Sequence, residues 1–456
     1  MMPMVTQFPA ESSRRRFLQT VAAGILGAGV KVGQGASAIS AWTGLQTNSV
    51  LNQARPADRA RLKVVKVEPH IMQMHRDEAG RLRGNYYLLC RIETEEGIVG
   101  WGEGTNFPKV APIATEILMI RPYVAGQSAW DIEKIWHTLY RGRNAMHGSA
   151  VQSAISSIDI ALWDIVAQKL NVPLYKLLGG KIHDRIRIYT SYRWGGIPRT
   201  AEAYKKRTQE LVAEGAIAGK WDPFFDEPYT PGVRPEERLD FSRQATLKTI
   251  QEVAEMVRGV REGGPQFEIC VEAHAKFNTG SAVRIAKAIE GYNPMFFEEP
   301  VPPENVDAML AVQRATSIPI AAGERLKSRL QAREYIEREA LRVYQPDVAR
   351  IGGITEFRKV AAMAENHFIP IAPHNPNGPV CLAAHLHLSA AMSNFLILEE
   401  GNTSPALNRQ LFGSWQDSRA YFVPPESAGL GMRFSDSFLR EHSIDIGKAQ
   451  QGEANS

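Results

Sequence analysis

The chain has 456 residues, 44% of them hydrophobic and 22% charged. That length suits a barrel-sized domain with a smaller one beside it, on an ordinary globular composition. Most of the formal net charge of +4 comes from Arg14, Arg15, Arg16 and Lys31 against Glu11, and the remainder shows no basic stripe, which argues against nucleic-acid binding. Cys90, Cys270 and Cys381 are widely spaced in apolar surroundings. They have neither zinc spacing nor the look of a disulfide framework, and they read as buried thiols.

In chain order, Ser13–Gln19 places Arg14 and Arg15 before a weakly apolar run, Thr20–Val30, and then Ala36, Ser37 and Ala38. A charged n-region, a short apolar h-region and a small-x-small site describe a secretory signal, too short to span a bilayer. The paired arginines resemble the twin-arginine type that exports folded proteins. The expectation is a signal over residues 1–38 cleaved after Ala38, the twin-arginine export machinery as a partner, and a periplasmic protein. A flexible linker over 39–61 follows. No later segment reads as a membrane span, so the cleaved protein is not expected to be integral to a membrane. Folding in a reducing cytoplasm before export needs no disulfides.

Residues 62–184 read as an α+β unit. Strand-prone runs begin at Val64, Tyr86 and Gly97, and helical stretches follow around 111–123, 129–140 and 150–170. From about residue 185 to 405 the pattern changes to short apolar runs alternating with amphipathic helices. The first run begins at Ile186. The next seven are Ala218–Asp222, Ile269–His274, Phe296–Glu299, Ile320–Glu324, Val343–Asp347, Ile369–His374 and Phe395–Glu400, each ending in an acid, histidine or lysine. Buried parallel strands read as continuous apolar runs, so this is a βαβ series. Helices are expected over 244–261, 281–290, 306–315, 329–340 and 355–366. The fold expected is α/β, a (β/α)8-type (modified TIM) barrel with an N-terminal α+β capping domain completed by the C-terminal segment. In such a barrel the strand C-termini open onto one face, where the active site sits. The proline-rich stretch 223–239 reads as a long loop over that face. Residues 406–456 are expected to return to the capping domain.

Glu272, Glu298 and Glu324 end three consecutive strands at intervals of 26 residues, which predicts three carboxylates at equal height. Three converging carboxylates in a partly buried pocket need a cation, and an all-oxygen site suits Mg²⁺, one per subunit. His374 and Asp347 end neighbouring strands. A carboxylate on one ring nitrogen raises the basicity of the other, which makes His374 a general base. His274 stands across the mouth as a candidate acid, and Glu399 is placed to hydrogen-bond an enolate oxygen. Lys220 is placed to neutralise a substrate carboxylate, with Asp222, Arg325 and Asn375 as further candidate substrate contacts. Taken alone, His274, Glu399, Lys220 and Asp222 each serve equally well as solvated or charge-paired structural residues.

Several stretches carry a likeness to a known family: Glu298–Val301, Ala322–Arg325, Gln345–Asp347 with Gly352–Glu356, Ala372–His374 with Gly378 and Pro379, and, in the N-terminal unit, Ile92–Glu103, Ser156–Asp164 and Leu178–Gly180. From about Leu62 to Gly431 the chain resembles the enolase superfamily, in its mandelate racemase/muconate lactonizing enzyme-like subgroup, and within it the bacterial D-galactonate dehydratases. Sites of that superfamily are known to pair a Lys or His base with Mg²⁺ that stabilises an ene-diolate. The resemblance implies metal ligation by Glu272, Glu298 and Glu324, an Asp347–His374 base dyad, an acid at His274 and an enolate partner at Glu399. Two departures stand out. Glu272 replaces the usual aspartate, and Asp222 stands where racemases and cycloisomerases of the subgroup place a lysine base. The second departure favours one-base elimination over the alternative of a racemase or cycloisomerase. A non-catalytic exported binding protein is the other alternative, and it predicts erosion of these residues, which the sequence does not show. The expected function is a Mg²⁺-dependent sugar acid (aldonate) dehydratase, a hydro-lyase giving a 2-keto-3-deoxy acid from a galactonate-like substrate, and the expected assembly is a homo-oligomer. Specificity is expected to lie in the 223–239 loop and a loop near Phe107.

Overall fold

Charged and glycine turns divide the first described stretch into an antiparallel meander. In the computed structural model of this chain it comprises β1 (Val64–Arg76), β2 (Leu82–Thr94) and β3 (Val99–Glu103). The structure describes residues 62–449, except 77–81, 107–108, 143–147, 192–193, 195, 225–241, 402–406, 408–409, 412–414 and 416–417. The expected signal (Arg14, Arg15 and Ala38 included), the linker, Phe107 and nearly all of the 223–239 loop therefore lie outside the described residues.

Helices α1 (Val110–Ile120), α2 (Ile132–Arg141) and α3 (Ser149–Lys169) cover the meander. Leu88, Ile92, Ile117, Trp136, Ile158 and Leu162 share one core there. Gly102 shows why β3 alternates glycine: a Cβ at that position would lie 1.7 Å from the carbonyl oxygen of Ser157, because strand and helix touch backbone to backbone. By length and composition α3 is apolar enough to cross a membrane, contrary to the expectation that no segment after the signal is. Fifteen of its 21 residues are buried, against β3 on one side and the barrel on the other. Trp163 Nε1 donates to Thr355 Oγ1 at 2.9 Å, and Asp159 Oδ2 accepts from the Thr355 N–H at 2.9 Å.

After the short helix α4 (Leu174–Leu177) the alternation begins: β4 (Ile186–Tyr189), α5 (Ala201–Ala213), β5 (Ala218–Trp221), α6 (Leu247–Gly263), β6 (Glu268–Glu272), α7 (Thr279–Ile289), β7 (Phe296–Glu298), α8 (Val306–Ala315), β8 (Ile320–Ala322), α9 (Arg329–Glu337), β9 (Val343–Tyr344), α10 (Gly353–Glu365), α11 (Pro379–Ala391) and β10 (Leu398–Glu399). Five successive helices, α5 to α9, start behind Thr200, Thr246, Asn278, Asn305 and Ser328, whose side chains accept from the N–H three residues on. Each such cap contributes about 1 kcal/mol and sets where the helix begins. Strands β5 to β9 form a parallel sheet. Parallel bridges from Tyr344 to Ile371 and from Ile371 to Phe395 continue it, β10 pairs with β4, and a bridge from Thr190 to Gly219 closes the ring. Tyr189, Ala218, Cys270, Phe296, Ala321, Val343, Ala372 and Ile397, one from each position of that ring, pack as one layer that fills the barrel.

The alternation expected from sequence is present, with two helices added. α5 was not expected, and α11 was not because it is apolar on all sides: twelve of its residues are buried. Beyond β10, β11 (Tyr421–Phe422) runs antiparallel to β4. Helix α12 (Asp436–His442) then leads into β12 (Ser443–Ile444), which pairs with Met72 and Ile71 of β1.

Candidate active site

Each strand of the ring delivers its last polar residue to the same end, because an apolar strand can end only where its side chains regain partners. Glu272 and Glu298 face each other across β6 and β7 in register. The equal-height expectation fails at the third carboxylate. Glu298 is opposite Ala321, so Glu324 lies three residues further along. Gly323 turns the chain there with φ +150°, and a Cβ on it would come within 2.7 Å of the Gln345 backbone nitrogen.

Lys220 lies among the acids rather than facing an open substrate pocket. Its Nζ is 2.8 Å from Glu298 Oε2 and 3.5 Å from both Glu272 Oε2 and Glu399 Oε1, with only 5% of the residue exposed. Burial alone would lower its pKa, but Glu298 and Glu399 outweigh burial and hold it well above the ordinary lysine range. Burial, then the charge of Glu272, push the Glu298 carboxyl up to about 8. Its Oε2 accepts from Gln345 Nε2 at 2.7 Å as well as from Lys220, while Oε1 is buried without a hydrogen-bond partner. Glu399 accepts from the Asn375 N–H at 2.9 Å, and Lys220 and His374 hold its carboxyl below the usual range despite burial.

His374 is 5% exposed. Its Nδ1 is 2.9 Å from Asp347 Oδ2 and its Nε2 is 2.5 Å from Glu324 Oε2. Burial would lower its pKa, but Glu324 and Asp347 raise it to about 9, so the ring between two carboxylates is an imidazolium. Asp347 is fixed further by Arg350 Nε at 3.0 Å, the Ala349 N–H at 2.8 Å and Asn377 Nδ2 at 2.9 Å.

Opposite, at the third position of the ring against the seventh, His274 Nδ1 is 2.6 Å from Asp222 Oδ2. Asp222 also meets the Lys276 ammonium, and the hydrogen bond to His274 together with the charge of Lys276 holds its carboxyl low although burial acts the other way. Asp222 is therefore the carboxylate partner of a half-exposed imidazole, a pairing across 52 residues that the sequence did not reveal. His274 and Ala275 have φ of +45° and +58°, and Glu299 has +40°. Left-handed backbone at non-glycine residues costs about 1–3 kcal/mol each and persists where surroundings fix it. Here the His274 N–H donates to Glu272 Oε1 at 2.6 Å and the Ala275 N–H to the Glu299 carbonyl at 2.8 Å.

Two expected substrate contacts are placed otherwise. Asn375 is fully buried, its backbone and amide both turned to Glu399, so it positions that acid. Arg325 is ion-paired with Glu299 and Glu324, leaving about a third of its side chain exposed. Gln345 and Arg350 belong to the site and were not singled out from sequence. Gln345 sits two residues before Asp347 and Arg350 one helical turn after it, spacings that point at the dyad only once the dyad is known.

As they stand, no three carboxylate, imidazole or thiolate groups among the described residues converge tightly enough to hold an ion. Glu324 is turned onto His374 and Arg350, where cations satisfy it. The donor set nonetheless fits a hard cation. Glu272 and Glu298 are paired oxygen donors sharing one ammonium, and Glu298 keeps an orphaned oxygen in a buried, acid-crowded position.

The Enolase C-terminal domain-like family model matches residues 203–438, and the mandelate racemase/muconate lactonizing enzyme N-terminal domain model matches 59–179. The chain is 33% identical to the D-galactonate dehydratase of Ralstonia nicotianae over 367 residues, 78% of this chain and 91% of that protein. It is 31% identical to the D-gluconate dehydratase of Thermoproteus tenax over 394 residues, 86% of this chain and 76% of that protein. A solved mandelate racemase/muconate lactonizing enzyme from Jannaschia sp. superposes with a TM-score of 0.75 at 30% identity, covering 84% of this chain and 98% of that one. The chain is a hydro-lyase that belongs to the enolase superfamily, in its mandelate racemase/muconate lactonizing enzyme-like group.

Proposed function

We propose that the protein is a Mg²⁺-dependent aldonate dehydratase acting on galactonate or a near stereoisomer, exported to the periplasm by its N-terminal signal. The observation that carries the chemistry is the pair of imidazole–carboxylate dyads, His374–Asp347 and His274–Asp222, on opposite sides of one ring of acids. Relatives of similar length named galactonate and gluconate dehydratases support the substrate class.

Glu272, Glu298 and Glu324 would hold the ion, which when bound supplies Lewis-acid stabilisation of charge on the substrate carboxylate. With Glu324 engaged by the ion, His374 would keep only Asp347 on Nδ1, the arrangement of a base. His374 takes the α-proton at Nε2. Lys220 offers its ammonium to the developing enediolate, and the ionised Glu399 beside it holds that ammonium in place. His274, polarised by Asp222, gives a proton to the departing β-hydroxyl, and the enol leaves as a 2-keto acid. With a carboxylate at 222 and no lysine there, the second face offers an acid for a leaving group, which favours elimination over racemisation.

The test is a screen of stereoisomeric aldonic and aldaric acids for 2-keto product, with and without metal. Product is expected from an aldonate of the galactonate type, abolished by EDTA and restored by Mg²⁺. Full turnover after metal removal, or product only by racemisation, sinks the reading.

A further inference from the structure

Glu103 is the last residue of the capping meander and is completely buried, yet none of the chemistry above uses it. Its Oε1 accepts from the Gly378 N–H at 2.6 Å and from Thr105 Oγ1 at 2.6 Å, and its Oε2 accepts from the Cys381 N–H at 3.0 Å. Thr105 in turn accepts from the Leu88 N–H at 3.1 Å, so the carboxylate is tied back into the meander. Gly378 and Cys381 are the N-cap and third residue of α11 in the barrel unit. A carboxylate there satisfies orphaned N–H groups and complements the helix dipole.

What precedes α11 is the catalytic segment. Ala372, Pro373 and His374 end the seventh strand, and only Asn375, Pro376 and Asn377 separate His374 from Gly378. Asn377 Nδ2 donates to Asp347 Oδ1 at 2.9 Å, while Asp347 Oδ2 meets His374 Nδ1. The segment is thus held at both ends, by Asp347 on one side and by Glu103 on the other. The approach is so close that a Cβ on Gly378 would lie 2.8 Å from Glu103 Oε1. Only glycine admits that contact, so the turn and the acid are matched.

We propose that Glu103 is a positioning residue for the base. From the capping unit it fixes the His374–Gly378 turn, and through Asn377 it sets the orientation of the Asp347–His374 dyad. This rests on His374 being the base. It makes the capping unit a part of the catalytic geometry.

The test uses the full chain with Mg²⁺ and two variants, Glu103→Gln and Glu103→Ala, checked for folding by circular dichroism and thermal melting. Glu103→Gln keeps the shape but presents an NH₂ to one of three donors, so it remains available if Glu103→Ala fails to fold. Losing such a supporting contact typically costs about 10–100-fold. The expectation is a fall in kcat of that size with KM within about threefold, α-proton exchange in D₂O falling by the same factor as dehydration, and Glu103→Ala losing more than Glu103→Gln. Amide-hydrogen exchange followed by mass spectrometry should speed up about tenfold or more in the peptide 374–382. A folded variant with kcat within twofold of wild type, or with unchanged protection of that peptide, overturns the proposal. The amide-exchange arm needs no substrate, so inactivity of the wild-type protein on every aldonate would count against the functional reading and leave the latch to be decided by protection alone.

Discussion

His374 and His274 each carry a carboxylate on Nδ1, yet their surroundings differ enough to assign opposite roles. His374 is enclosed between Asp347 and Glu324, while His274 leaves 42% of its side chain exposed at the barrel mouth. An enclosed imidazole that loses one carboxylate partner becomes a base, and an exposed one at the mouth is placed to meet a leaving group. His374→Asn is therefore expected to abolish both dehydration and exchange of the substrate α-proton with D₂O. His274→Asn is expected to lose dehydration by about 10²–10⁴-fold while exchange stays measurable, since the enediolate still forms and is reprotonated by His374. If His274→Asn loses exchange as completely as dehydration, the acid role goes; if the α-proton still exchanges in His374→Asn, the base is another group, with Lys220 the first suspect. The strand-end acids and both histidines were legible because a buried strand is an apolar run and its polar terminus stands out. Their partners were not. Asp222 and His274 are 52 residues apart, and Lys220 was aimed at substrate because sequence does not show that three acids surround it within 3.5 Å. Asn375 follows the proposed base and so read as a contact, but it is fully buried, with its backbone N–H and side-chain amide both donating to Glu399.

Among elements, α11 is the clearest case of structure hidden from periodicity. A helix buried on every side has no polar face to mark its period, and Pro379–Ala391 reads as one apolar stretch until its packing is seen. It carries two buried imidazoles, His385 and His387, each pushed down to about 4 by burial. His387 Nδ1 accepts from the Tyr175 N–H at 3.2 Å, a bond that requires that nitrogen to be unprotonated. The folded state therefore favours neutral His387 while the unfolded chain titrates near 6.5. A depressed folded pKa gives stability that is fully present above pH 6.5 and lost as pH falls toward about 4, here about 3 kcal/mol for one buried ring. His387→Gln keeps an acceptor for Tyr175 and removes the titration. Its unfolding free energy is expected to fall below that of wild type at pH 7, with the gap closing by about 3 kcal/mol on descending to pH 4. Denaturant melts at the two pH values measure it, and a gap independent of pH would mean that His387 is not held neutral in the fold.

At the scale of the molecule, the N-terminal sheet is finished by the end of the chain. β1 pairs with β2 beside it and with Ser443 and Ile444 of β12, so the described fold cannot close until about residue 444 has been made. Cys90, Cys270 and Cys381 are buried and free, and the barrel layer itself includes Cys270. A fold that completes late, with free thiols in its core, suits assembly in a reducing compartment. The export proposed above would then have to accept a finished protein, the property of the twin-arginine type that Arg14 and Arg15 resemble. We therefore expect the wild-type chain to be found in the periplasm with its N-terminus at Ile39. With Arg14→Lys and Arg15→Lys together, the uncleaved chain should accumulate in the cytoplasm in folded form and show the same α-proton exchange activity per molecule as the exported protein. Fractionation, N-terminal sequencing and an exchange assay on both fractions decide it. A double variant that still reaches the periplasm and is cleaved after Ala38 would remove the twin-arginine reading. A cytoplasmic form that is unfolded or inactive would remove the claim that folding precedes export.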